Sequence, residues 1–285
     1  MFVNLTRMAL LYRMPPAPLS RFVAVMWMQL RDGARQGSSY RHERLMPSGE
    51  AELIFHLELP FVRTYEMCGS GQLRERRLPR AALCGPHMRP FLIDAAPENV
   101  VGVHFRPGGI FPFFAPPASE LANAHIALED LWGSVARELQ EQLLTGESPD
   151  EKFAVLSGFL LRRLRENRKP GHPAVSFTWR TLECAPRRTM TQITNEIGLS
   201  RRHLIHRFEQ EVGLAPKAFA RVRRFQRVLR DVHPQAQVDW AEVALDCGYY
   251  DQAHFIHEFR EFSGMTPSAY FAHRTRHSNH VAAES

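Results

Sequence analysis

Long apolar runs are missing from this 285-residue chain: none reaches the roughly 18 residues that a membrane-crossing helix needs. The opening MFVNLTRMALLYRMPP is broken by Arg7 and Arg13 and carries no small-residue cleavage site, so it reads as mature sequence. Cysteine is scarce as well. Cys68, Cys84, Cys184 and Cys247 are scattered, with no C-x-x-C pair and no framework spacing. That pattern speaks against disulfides and a structural zinc site, and for reduced thiols filling small core spaces in a cytoplasmic protein. There is no nucleophile elbow, P-loop or dinucleotide fingerprint, so the chain announces no enzyme class, and no cofactor is expected.

What is present is a globular composition, 44% hydrophobic and 23% charged, in a length that suits two domains with separate cores. The formal net charge of +6 is unevenly spread. Between Arg180 and Arg230, twelve basic residues stand against four acids, Glu183, Glu196, Glu209 and Glu211. Positive charge concentrated on sequence of helical period is the footprint of a nucleic-acid binder, although a solvated helix face carries the same signature.

The first 115 residues read as strands and turns. AELIFHLELP (51–60), AALCGP (81–86), PFLIDA (90–95) and VVGVHF (100–105) are short apolar segments bounded by Gly or Pro. RPGGIFPFFAPP (106–117), with four prolines, is neither a regular helix nor a central strand. A small β-barrel or curled sheet is expected. Residues 128–144 then space Leu128, Leu131, Trp132, Val135, Leu139 and Leu143 as one helix face. A second helix opens with Ser148 as N-cap, Pro149 at its first position and Glu151 completing a capping box. ENRKPGHPA (166–174) breaks the pattern and is the expected interdomain linker.

Everything beyond is helical in period. A helix near Val175–Leu182 is followed by a short one capped by Thr189 with Gln192, and by a third from Ser200 to about Val212. Short helix, glycine turn, helix is the helix-turn-helix pattern. After the basic helix 215–232 the pattern recurs. Asp239 caps one helix, and GYYDQAHFIHEFREFSG supplies the turn and the next; Thr266 and Pro267 start a last short one. Gly198 matches Gly248, Leu204 matches Phe255, Phe208 matches Phe259, Gly213 matches Gly264 and Pro216 matches Pro267, a duplication offset by about fifty residues. Each turn glycine suits a left-handed backbone, and each apolar pair four apart suits burial against the preceding helix.

Over about residues 174–275 the chain resembles the AraC/XylS family of bacterial transcription regulators, most specifically from Gly248 through Pro267 to Tyr270. More weakly, LMPSGEAELIFHL, CGPHMRPF, HFRPGGIFPFF and LEDLWG resemble the β-rich sensor-type domains of one branch of that family. The resemblance implies an α+β two-domain chain. A barrel-like sensor or dimerisation domain with flanking helices would span 1–165, a linker 166–174, an all-α double helix-turn-helix domain 175–275 and a disordered tail 276–285. It implies double-stranded operator DNA as partner. A small-molecule effector, a homodimer and, for an activator, RNA polymerase are further implied partners; a membrane is not. The side chains of the recognition helices not used for packing are Arg201, Arg202, Ile205 and His206 in the first unit, with Ser200 as cap and phosphate donor. In the second they are Gln252, Ala253, Ile256 and His257, with Asp251 as cap and His254 assigned to phosphate. The resemblance places the base contacts at Arg202, Ile205 and His206, and at Gln252, Ala253, Ile256 and His257. Arginine pairs bidentately with guanine and glutamine with adenine.

The chain departs from the family pattern at four positions. His206 and His257 stand where arginine is usual, Arg207 where an apolar residue is usual, and Ala215 where a serine cap is usual. On the helix 215–232, Phe219, Val222, Phe225 and Leu229 form the expected buried stripe, which leaves Arg221, Arg223, Arg224 and Arg227 either structural or on phosphate. Two other readings compete. One is an effector-free architectural DNA binder. The other is a cupin-like metal enzyme using His42, His56, His87 or His104, but these histidines form no H-x-H pair and have no glutamate at matching spacing.

Overall fold

A computed structural model describes residues 9–31, 42–67, 73–95, 98–167, 169–184 and 188–283. Cys68, Arg187, most of the opening segment and the last two residues of the expected tail lie outside them. The strands are β1 (Ala9–Arg13), β2 (Val23–Leu30), β3 (His42–Leu45), β4 (Glu52–His56), β5 (Phe61–Met67), β6 (Leu73–Pro79), β7 (Ala81–Cys84), β8 (Phe91–Asp94), β9 (Val100–Phe105), β10 (His125–Ala127) and β11 (His280–Ala283). The helices are α1 (Ala118–Leu121), α2 (Leu128–Trp132), α3 (Ser134–Thr145), α4 (Pro149–Glu166), α5 (Pro173–Cys184), α6 (Met190–Ile197), α7 (Arg201–Val212), α8 (Pro216–Val232), α9 (Trp240–Asp246), α10 (Gln252–Ser263) and α11 (Pro267–His273).

The chain is α+β with a β-rich first half and a helical second half as expected, and the barrel-like first half is made of two open antiparallel sheets. Their orders are β1-β2-β9-β4-β7-β10 and β11-β3-β8-β5-β6. Strand alternation sends Leu53, Phe55, Leu83, Val101, Val103 and Phe105 into one core. The proline-rich loop 106–117 closes it with Phe113 and Phe114, and α2–α4 add Trp132, Leu139, Phe153, Leu156 and Leu160. Trp132 stacks on Phe114 at 4.9 Å and donates its indole N–H to the Phe113 carbonyl at 3.0 Å, so its one polar atom is satisfied. On the opposite face of the same sheet the register lines up His104, Glu52, Cys84 and His125 across β9, β4, β7 and β10.

The single helix expected over 128–144 is two. Gly133 sits at φ 62°, a left-handed turn that caps α2 and starts α3 while Leu128, Trp132, Ala136, Leu139 and Leu143 all stay buried. The Ser148–Glu151 capping box forms in full.

In the helical half, Thr189, Ser200, Asp239, Asp251 and Thr266 all cap as the sequence indicates, whereas Ala215 leaves α8 without a side-chain cap. Gly198 and Gly248 take φ 73° and 79° in the two turns. The units do not match residue for residue: two residues separate Gly198 from α7 and three separate Gly248 from α10. Residues 276–283 of the tail expected to be disordered instead return to the β-rich half. Strand β11 pairs with β3, His280 bonds Glu43 at 3.0 Å, and Tyr270 donates to the Ser278 carbonyl at 2.7 Å. An open strand edge satisfies its backbone groups by taking this segment as a neighbour.

The halves meet along α8. Gln226 donates to the Pro47 carbonyl at 2.8 Å, Arg223 bridges Glu50 at 3.0 Å and Glu183 at 2.7 Å, and Arg44 donates to the Ser263 carbonyl at 3.1 Å. No described helix is long and apolar enough to cross a membrane.

Candidate nucleic-acid interface

Each helix-turn-helix buries one face of its second helix. Leu204 and Phe208 of α7 and Phe255 and Phe259 of α10 are fully buried, each side chain contributing about 1.5–3 kcal/mol by leaving water. The remaining faces point outward. Arg201, Arg202 and His206 are exposed and Ile205 half-buried on α7; Gln252, Ala253, His254 and His257 are exposed and Ile256 half-buried on α10. Arg201, Arg202, Ile205, His206 and Glu209 together line a shallow surface depression. Ile256 also packs on the helical core, so less of it is available than of Ala253.

Ser200 and Asp251 hold the starts of these helices. The Ser200 hydroxyl accepts from the His203 amide at 3.3 Å, keeping its own proton for another acceptor, and Asp251 accepts from the His254 amide at 2.7 Å. His254 is partly engaged within the turn. Its Nδ1 accepts from the Tyr250 amide at 3.4 Å, its Nε2 lies 3.7 Å from Glu258, and its ring meets Tyr249 edge-on.

The basic residues sort into two groups. Glu258 of α10 is almost wholly buried and receives Arg221 Nε at 2.9 Å and both Nη2 bonds of Arg224, at 2.7 and 2.9 Å. Arg221 also bonds Glu261 at 2.5 Å, and Arg224 lies 4.4 Å over the Tyr249 ring. Arg223 is taken by Glu50 and Glu183, and Arg227 by Asp231 at 3.5 Å. These four arginines of α8 are therefore occupied within the protein, fastening α10 and the β-rich half to α8. By contrast, among the described residues Arg201 and Arg202 have no ion-pair partner. Arg207 is exposed as well, so the departure at that position costs the core nothing.

Sequence reasoning passed over Tyr250. It is 88% exposed, directly before Asp251, and presents a phenolic donor beside the start of α10. Its aromatic character next to a cap residue was the available signal. The four histidines considered for a metal site do not gather. His56 bonds Glu98 at 2.7 Å, His104 bonds Glu50 at 2.6 Å, and His42 lies 3.9 Å from Asp94. Burial pulls His104 down, but its bonds to Glu50 and Glu52 more than reverse this and raise it to about 10. Of the four, His87 alone belongs to a group of three potential ligands, with Cys84 and His125, a grouping invisible in linear spacing. Cys84 and Cys247 are buried as small fillers would be, whereas Cys184 is exposed.

Two families match. The helix-turn-helix domain family covers residues 193–273, and a domain of unknown function (DUF6597) covers residues 12–127. No curated protein shows significant similarity to the chain. Among solved structures, ToxT from Vibrio cholerae aligns at 12% identity over 82% of this chain and 95% of its own, with a TM-score of 0.49. Unsaturated-fatty-acid-bound ToxT aligns at 11% identity over 84% of this chain and 97% of its own, with a TM-score of 0.45. A probable AraC family transcriptional regulator from Rhodopseudomonas palustris aligns at 27% identity over 35% of this chain and 96% of its own, with a TM-score of 0.32. Residues 193–273 of this chain thus form a helix-turn-helix domain.

Proposed function

We propose that the chain is a sequence-specific transcription regulator that reads operator DNA with α7 and α10. The observation that carries this reading is the pair of helices with buried aromatic or aliphatic stripes and outward polar faces, joined by one long helix. Arg202 pairs with guanine and Gln252 with adenine, each discriminating by about 1–3 kcal/mol. Ala253 and the exposed part of Ile256 meet thymine methyls, His206 and His257 donate to guanine N7 or phosphate, and Arg201, Ser200 and Tyr250 hold the backbone. His254, engaged with Tyr250 and Glu258, contributes mainly by shaping the turn that presents Asp251 and Gln252.

The domains act as two modules over about 1–165 and 175–275, with 166–174 between them, the first sensing an effector or pairing two chains. The first helix-turn-helix supplies most of the affinity, because its unpaired arginines release counterions from phosphate. Binding measured across salt on selected DNA tests this. Alanine at Arg201 and Arg202 lowers the salt slope by roughly one for each phosphate no longer neutralised, and alanine at Gln252 and His257 mainly relaxes base preference. A larger loss of salt dependence in the second pair contradicts the assignment.

A further inference from the structure

In the β-rich half, three potential ligands converge outside the interface described above. Cys84 ends β7, His87 follows three residues later, and His125 opens β10 directly opposite Cys84 in the register. All three are buried, and their donor atoms lie within 4.8 Å of one another. His87 Nε2 and both ring nitrogens of His125 have no hydrogen-bond partner in this buried setting. A buried polar atom left unmatched loses its water hydrogen bonds without replacement, so three such atoms beside a thiol call for a ligand. Phe91 closes the cluster with its ring 4.9 Å from His87 and 4.4 Å from His125.

We propose that Cys84, His87 and His125 bind a single thiophilic metal ion, with Zn2+ the first candidate. One thiolate and two imidazoles are a donor set that suits Zn2+, with a fourth position left for water or an incoming ligand. Tetrahedral bonds of about 2.0–2.3 Å put donors about 3.3–3.8 Å apart, a contraction of about an ångström from the present spacing. A metal at His87 Nε2 would satisfy a buried atom that has no hydrogen-bond partner in the fold. Binding exchanges the Cys84 thiol proton for the metal and leaves both histidines neutral.

The ligand loop is firmly held. The Gly85 amide donates to the Ala124 carbonyl at 2.9 Å, the Gly49 amide to the His87 carbonyl at 3.1 Å, and the Met88 amide to Asn123 at 2.8 Å. Pro86 of the same loop lies against Gly213, where α7 gives way to α8. A metal at this site therefore braces the surface on which the first DNA-reading helix ends.

The test uses the full chain, stripped with a chelator and then titrated with Zn2+ against a chromophoric competitor, and separately with Co2+. The expected result is one equivalent per chain, a raised thermal midpoint and a thiolate-to-cobalt charge-transfer band in the near ultraviolet. His125→Ala weakens Zn2+ binding by at least about tenfold. A chain with Cys68, Cys184 and Cys247 all changed to serine keeps the band, which assigns it to Cys84 even if Cys84→Ser alone does not fold. Absence of stoichiometric uptake, absence of the thiolate band, or loss of the band in the triple variant overturns the proposal. None of these readouts depends on DNA binding.

Discussion

At the scale of single residues, positive charge divides by what it touches. Arg221 and Arg224 both bond the buried Glu258, so removing that carboxylate leaves Arg224 without its ion-pair partner and Arg221 with Glu261 alone. Glu258→Ala is expected to destabilise the fold by roughly 3–5 kcal/mol in chemical denaturation, while Arg201→Ala leaves stability within about 0.5 kcal/mol. Glu211 offers a pH test. Burial pushes its carboxyl up to about 7 against the pull of the His172 amide, from which both its oxygens accept at 2.9–3.0 Å, and of Arg207. An acid held above its ordinary value favours its protonated form in the fold. Stability should therefore fall as pH rises from about 4.5 to about 7 and level off above, and Glu211→Gln should flatten that fall. An unchanged pH profile in the variant would remove Glu211 from the account.

At the scale of elements, the caps were the most legible feature of the sequence, because a cap is a local contract between one side chain and the amides two or three residues on. Five side-chain caps of the helical half form where Thr189, Ser200, Asp239, Asp251 and Thr266 predicted them. Ala215 leaves the start of α8 without such an oxygen, and Ala215→Ser is expected to stabilise the chain by about 1 kcal/mol in thermal unfolding. The strands bounded by Gly or Pro were legible too. Strand β6, LRERRLP, was not, since six of its seven side chains are exposed and its pairing with β5 decides its conformation. Gly133 misled for the opposite reason: apolar spacing continues across it although the backbone turns. The Cys84–His87–His125 cluster needed the β7–β10 register, which no local pattern contains.

At the scale of the whole molecule, the halves are joined by more than a linker. Glu50 ties His104 of β9 to Arg223 of α8, and β11 carries the C-terminal segment back onto β3. Ending the chain at Thr275 removes β11 and should lower the thermal midpoint by several degrees, at about 2–4 °C for each kcal/mol of stability removed; an unchanged midpoint would deny β11 a structural role. The duplication that places α7 and α10 on one long helix is the feature most directly tied to function. Hydroxyl-radical footprinting of the full chain on a selected operator measures it. Two protected patches on one face of the duplex are predicted, about 10–10.5 base pairs apart, one abolished by Arg201→Ala with Arg202→Ala and the other by Gln252→Ala with His257→Ala. A single patch, or two that survive both pairs of substitutions, would contradict the account.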